Sequence, residues 1–246
     1  MELPAFRETA LLLDMDGTLL DLAPTPDLVV VPPGLLETLS LLNQALRGAV
    51  AVVTGRPLEQ VESLLPGVPS IAGEHGGVFR HGPDGPVQRV VLPNLPPHWI
   101  AHAQTVIAQH PGALLERKRR GLVLHFRLAA QHGPALHQAA LDLAHQDERF
   151  QVLEASMAWE LRPRGVDKGG AVATLMQSAP FAGRRPLFVG DDVTDRDAMA
   201  RAAQLGGVGL LVGNWFQGPS GVRAWLADAA RYRAWPALRP LLQALR

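Results

Sequence analysis

The sequence predicts an α/β fold: a parallel sheet with helices on both faces, interrupted by an inserted α+β domain with an antiparallel sheet. Three observations carry this expectation. Short apolar runs alternate with helical leucine spacing early in the chain, and the alternation returns late. Between these two regions the order changes to helix-strand-strand, twice, with prolines at both borders. Strands apolar on both faces and separated by helices belong to parallel sheets.

"ALLLD" (10–14) reads as a short buried strand, and "PPGLLETLSLLNQAL" (32–46) as a helix opened by prolines. "GAVAVVTG" (48–55) is a β-branched run ending in glycine. "PLEQVESLL" (57–65) places Pro57 at a helix N-terminus, where its missing N–H does no harm. Late in the chain, "DKGGAVATLMQSA" (167–179) reads as a helix and "PLFVGDD" (186–192) as a strand. "TDRDAMARAAQ" (194–204) reads as a helix with Thr194 as N-cap, and "GVGLLVG" (207–213) as a further strand. The middle region begins with the helix in "PNLPPHWIAHAQTVIAQHPG", followed by a hairpin, "ALLERK" and "GLVLHFR". A second helix, "GPALHQAALDLAHQDERF", and a second hairpin, "QVLEA" and "MAWELRP", complete it. Pro93, Pro96, Pro97 and Pro163 mark its edges as linkers, giving a core of 1–92 and 166–246 around an insert of 93–165.

Composition narrows the function. The 246 residues are 47% hydrophobic and 19% charged, which suits packed cores rather than disorder. Lys+Arg and Asp+Glu are equal at 23 each, so no global field draws nucleic acid or an anionic membrane. There is no cysteine, which excludes disulfides, thiolate metal sites and a cysteine nucleophile, and fits a reducing cytoplasm. No secretory signal and no apolar run of membrane-spanning length is expected from "MELPAFRETALLLDMDG" or elsewhere.

Four polar clusters fall at the carboxyl ends of strands or at facing helix starts, where parallel sheets gather their ligands. They are Asp14 with Asp16, Thr54 with Gly55 and Arg56, Lys168, and "GDDVTD" with Asp191, Asp192 and Asp195. Each has a plainer reading alone: an Asp–Gly turn, a helix cap, a solvated lysine, a second cap. Two like charges at Asp14 and Asp16, delivered by a buried strand, nevertheless require a positive partner: a metal ion, a phosphate-binding lysine, or both.

Taken in order, DxDGT, Thr, Lys and DDxxxD resemble the four-part signature of the haloacid dehalogenase (HAD) phosphatases. The resemblance implies an HAD-like core, and the insert matches the larger, sheet-containing C2-type cap of one branch. It implies that Asp14 attacks phosphorus to form an aspartyl phosphate, and that Asp16 serves as general acid and then base. Thr54 and Lys168 would hold the transferring oxygens. Mg²⁺ would be held by Asp14, Asp191 and Asp195, with the main-chain carbonyl of Asp16.

Segments outside that signature, "GEHG" (73–76), "ERK" followed by "LHFR", and "ELRPRGVDKG", resemble the trehalose-6-phosphate phosphatases over most of the chain. By that resemblance Lys118, Glu160 and Arg162 contact the sugar from the cap, and Arg56 and His75 lie on the core side of the cleft. His125 and Arg127 would support the cap sheet. Two positions depart from the family pattern: Arg196 stands where glutamate is usual after "DDVTD", and Met199 where phenylalanine is common. The expected ligand is therefore a small sugar phosphate, with Mg²⁺ as cofactor, no nucleic acid and no membrane. The resemblance further implies a functional pairing with a trehalose-6-phosphate synthase and a cytoplasmic monomer. Alternatives of the same branch act on sucrose 6-phosphate or mannosyl or glucosyl phosphates. A phosphomutase would need added phosphate-binding arginines, and a silent binding regulator would be expected to lose Asp14 or Asp16.

Other signals point nowhere. "RKRR" (117–120) lacks aromatic stacking partners and reads as a solvated hairpin tip. The glycines of "GGVGLLVG" lead into a strand rather than a helix, against a dinucleotide loop. His137 and His145 read as exposed cap-helix residues, and Trp225 and Trp235 as packing residues of a final helical stretch.

Overall fold

The computed structural model describes residues 2–23, 28–118, 120–155 and 157–241. The chain forms two compact units, Met1–Val90 with Val166–Arg246, and Val91–Gly165. Arg119 of the basic hairpin tip lies outside the described residues.

The first unit is built on a seven-stranded sheet. Its strands are β1 (Thr9–Leu13), β2 (Val50–Val53), β3 (Ser70–Gly73), β4 (Val78–His81), β5 (Val87–Arg89), β10 (Arg185–Gly190) and β11 (Val208–Leu211). The order is β11-β10-β1-β2-β3-β4-β5. β11, β10, β1, β2 and β3 run parallel. β4 and β5 add an antiparallel margin that the sequence reading does not contain. Every residue of β5 is exposed, so it carries no alternating apolar signal.

Side chains of each strand alternate between two cores. Leu11, Leu13, Val50, Val52, Ile71, Leu187 and Val189 pack with α1 (Leu35–Ala45), α2 (Leu58–Leu64) and α8 (Gly218–Tyr232). On the other face Ala10, Leu12, Ala49, Ala51, Val53, Ala72 and Phe188 pack with α5 (Lys168–Leu175) and α6 (Arg196–Gln204). That second face is rich in alanine, and helices α5 and α6 also pack on one another. Between β11 and α8 lies one short helix, α7 (Val212–Trp215).

Two expectations about helix ends are corrected. Thr194 is not the N-cap of α6. Residues 193–195 form a 3-10 turn instead, capped by the Asp192 carboxylate, which accepts from the Val193 N–H at 2.6 Å. The Asp195 side chain completes a reciprocal box. A charged carboxylate is the stronger acceptor, and it stands where the chain leaves β10. Trp235 lies beyond α8, which ends at a left-handed Arg233. It still packs, stacked on Trp225 at 4.8 Å and donating from its indole N–H to Thr9 Oγ1 at 3.1 Å.

The second unit contains α3 (Pro97–Ala108), β6 (Leu114–Arg117), β7 (Leu122–His125), α4 (Gly133–Ala144), β8 (Phe150–Ala155) and β9 (Ala158–Pro163). Its antiparallel sheet has the order β6-β7-β9-β8. Trp99, Leu136, Leu143 and Phe150 form its core with Leu122, Leu124 and Leu161. Register sets Glu116 opposite Val123, and Val123 opposite Glu160, on the other face of the sheet. His145 is exposed, as expected. His137 is half-buried instead, because it stacks on the Trp159 ring at 3.9 Å.

Phe188 is fully buried on the alanine-rich face. Phe188→Ala should cost about 3–5 kcal/mol in denaturant unfolding, since its volume cannot be recovered by such small neighbours. A loss below about 1 kcal/mol would show that α5 and α6 collapse onto the sheet instead.

Candidate active site

Four chain segments converge at the carboxyl ends of the central strands. Asp14 follows β1 directly and its N–H donates to Val189 O at 2.9 Å. Thr54 follows β2, held by its N–H to Ala72 O at 2.9 Å. Asp191 and Asp192 follow β10. Lys168 is the first residue of α5, fixed there by Asp167, whose carboxylate caps the helix by accepting from Gly170 N–H at 2.7 Å. The next residue, Gly169, permits close approach of α5 to the start of α6. A Cβ there would stand 2.8 Å from the carbonyl oxygen of Asp197.

The result is a buried charge cluster. The Lys168 ammonium donates to Asp14 Oδ1 and to Asp195 Oδ1, both at 2.6 Å. Asp195 is wholly buried, and its second oxygen accepts from the N–H groups of Asp191 and Asp192 at 3.0 Å each. Thr18 donates to Asp191 Oδ1 at 3.4 Å. Gly17, at φ 74°, turns the chain so closely past Asp191 that a Cβ would lie 2.0 Å from its Oδ2.

Asp14, Asp191 and Asp195 bring one oxygen each within 4.8 Å of one another. Three carboxylates against the single Lys168 ammonium leave a surplus of two negative charges when all are ionised. An all-oxygen set with that surplus suits a hard divalent cation. Protonation behaviour agrees. Burial pushes the Asp14 carboxyl well above its ordinary range, with Lys168 only partly opposing it. Asp191 is pushed up to about 6, by burial first and then by Asp195 and Asp192. Burial pulls the Lys168 ammonium down, but the charges of Asp14 and Asp195 outweigh it and its pKa is raised overall.

Asp16 is not served by Lys168. Its partner is Arg56, which donates from Nε to Oδ2 and from Nη2 to Oδ1, both at 2.6 Å. His75 sits in the turn after β3, its N–H on Thr54 O at 2.9 Å, and Glu74, His75 and Gly76 all have positive φ. A left-handed run with two non-glycine residues is strained, and such strain collects at functional sites.

The second unit brings together its own expected residues. Lys118 Nζ donates to Glu160 Oε1 at 2.9 Å, with the Glu160 side chain nearly buried. Glu160 and Arg162 alternate along β9 and both are buried. His125 supports β6 through Glu116 at 2.8 Å, and the hydrogen bond from His125 holds the Glu116 carboxyl below its ordinary range. Arg127 is exposed, and so is Arg196 at the start of α6.

Sequence reasoning gave no role to Thr18 and missed the Arg56–Asp16 pair. The signal for the first was adjacency to DxDG. The second joins residues 40 positions apart and had no local signal.

Protons and a cation compete for Asp14 and Asp191. The folded pKa of Asp191 lies above the ordinary 3.8, so the stability this group contributes to the metal-free protein is lost as pH rises from about 4 to 6. The thermal stabilisation given by Mg²⁺ should therefore be clearly larger at pH 7.5 than at pH 5. A pH-independent gain would place the cation elsewhere. Gly17→Ala should weaken Mg²⁺ binding about tenfold or more by displacing Asp191, measured by calorimetry. Unchanged affinity would remove Asp191 from the cation set.

The trehalose-phosphatase family matches this chain over residues 12–217. Escherichia coli trehalose-6-phosphate phosphatase is 40% identical over 202 residues, covering 81% of this chain and 76% of that protein. A protein described as a probable trehalose-phosphate phosphatase of Sinorhizobium fredii is 41% identical over 208 residues, covering 83% and 77%. In fold, the C-terminal domain of Candida albicans trehalose-6-phosphate phosphatase superposes with a TM-score of 0.72 at 18% identity, covering 92% of each chain. With HAD-type architecture and the signature aspartates, threonine and lysine gathered at the strand ends, the chain belongs to the trehalose-phosphatase family.

Proposed function

We propose that this protein is a phosphoric monoester hydrolase that converts trehalose 6-phosphate to trehalose and phosphate. The observation that carries the reading is the reach of the family match. It runs through the whole of the second unit as well as most of the first. The DxDGT signature is common to phosphatases of many substrates, whereas the inserted unit is where a sugar would be told apart. In this reading residues 1–92 and 166–246 are the catalytic core and 93–165 the cap.

Asp14 attacks phosphorus in line and forms an aspartyl phosphate, dividing one hard step into two. Asp16 gives a proton to the leaving sugar oxygen and then takes one from the attacking water. Lys168 and Thr54 hold the transferring oxygens, and Lys168 is already desolvated, so its charge acts undiluted by water. Asp14, Asp191 and Asp195, with the main-chain carbonyl of Asp16, would hold Mg²⁺. When bound, that ion supplies further charge neutralisation at the phosphoryl oxygens. Lys118, Glu160 and Arg162 recognise sugar hydroxyls, and Arg56 and His75 contribute from the core. The reading includes a cytoplasmic monomer that consumes the product of a trehalose-6-phosphate synthase. Among the described residues no helix is long and apolar enough to cross a membrane.

Phosphate release with Mg²⁺ should be much faster from trehalose 6-phosphate than from sucrose 6-phosphate, glucose 6-phosphate or a mannosyl phosphate. Asp14→Asn and chelation by EDTA should each abolish it. Lys118→Ala should raise KM about tenfold, with kcat less affected. Equal rates on all four esters would reject the sugar roles of Lys118, Glu160 and Arg162. No release from any would reject the phosphatase reading.

A further inference from the structure

Asp16 hangs from a turn, and the terminal torsion of an aspartate is broad and loosely held. Something outside the residue must fix the plane of its carboxyl group. Among the described residues the only side chain hydrogen-bonded to it is Arg56, through two parallel bonds of 2.6 Å. Arg56 is itself tied down at several points. Its N–H donates to Thr54 Oγ1 at 3.2 Å, its carbonyl accepts from Glu74 N–H at 3.0 Å, and Nη1 donates to Gln60 Oε1 at 3.4 Å. Its side chain is 12% exposed against 29% for Asp16. The guanidinium is thus the fixed partner and the carboxylate the accessible one.

We propose that Arg56 is a positioning residue for Asp16, beyond any contact it makes with sugar; this rests on the phosphatase reading above. The Nε–Oδ2 bond persists and fixes the carboxyl plane, while the Nη2–Oδ1 contact gives way to the ester oxygen of the substrate. In the first step Asp14 bonds to phosphorus, the P–O ester bond breaks, and the proton on Asp16 Oδ1 passes to the leaving oxygen. In the second, water oxygen bonds to phosphorus, a water proton passes to Oδ1, and the bond from phosphorus to Asp14 breaks. Arg56 moves no proton in either step. A proton donor acts only within hydrogen-bond reach, and a misplacement of about 1 Å can cost about a hundredfold in rate.

The test compares two leaving groups. A sugar alkoxide needs a proton to depart, whereas p-nitrophenolate does not. Arg56→Lys keeps the charge without the fork, and Arg56→Ala removes both. The loss of kcat on trehalose 6-phosphate should exceed the loss on p-nitrophenyl phosphate by about tenfold or more in each variant, as it should in Asp16→Asn. The loss of kcat on trehalose 6-phosphate should exceed any rise in its KM, and added guanidine should restore part of the sugar-ester rate in Arg56→Ala. Equal losses on both esters, or a raised KM with kcat retained, would overturn the proposal, leaving Arg56 structural or a substrate grip. Thermal melts identify a variant that fails to fold, and Arg56→Lys, of similar volume, then carries the comparison. Wild-type phosphate release from trehalose 6-phosphate tests the underlying reading separately, since the ratio has meaning only when that rate is present.

Discussion

One ammonium group organises this molecule. Lys168 lies 2.6 Å from both Asp14 and Asp195, and all three side chains are buried. Taking such charges out of water is expensive, and only close mutual pairing makes it tolerable. The pairing also links distant parts of the chain: the end of β1, the start of α5 and the turn before α6. Asp195 then reaches back to the N–H groups of Asp191 and Asp192, so the loop after β10 takes its shape from the same charge. Removing Lys168 would leave the buried carboxylates of Asp14 and Asp195 uncompensated and loosen all three segments together.

The two aspartates of the opening motif are separated by this arrangement. Asp14 belongs to Lys168 and a cation set, while Asp16 belongs to Arg56. Like carboxylates two residues apart would otherwise repel each other and behave as a coupled pair. Assigning each its own cation gives them different work. In the proposed mechanism the first attacks phosphorus and the second exchanges protons. Uncatalysed hydrolysis of a phosphate monoester is slow enough that enzymes supply factors of up to ~10²¹. An environment that divides labour between two chemically identical groups is part of how such a factor is approached.

Much of this was legible in the sequence. Fully apolar runs such as "ALLL" could only be buried strands, and the residues that follow them had to meet at one sheet edge. The polar clusters at those positions therefore declared the site before any coordinates. The antiparallel margin of β4 and β5 was not legible, because β5 is exposed throughout and its pairing comes from a neighbour rather than from its own pattern. Thr194 looked like a cap by residue type, but Asp192 holds the better acceptor at the true turn. The Arg56–Asp16 bond was invisible because which carboxylate a guanidinium meets depends on the approach of two strand ends, not on spacing within either one. His137 has the sequence setting of a surface residue, and the Trp159 ring that covers it comes from β9.

The alanine-rich face of the core sheet has a consequence of its own. Ala10, Ala49, Ala51 and Ala72 have side chains with no chemistry to offer, yet their methyl groups set how low α5 and α6 can ride over the strands. Those two helices carry Lys168 and follow Asp195, so the reach of the ammonium is gauged by methyl groups beneath it. Packed interiors transmit small volume changes rather than absorbing them. The side-chain sizes on one buried surface therefore act as a ruler for the charges at its rim, and the chemistry is calibrated by residues that never meet a substrate.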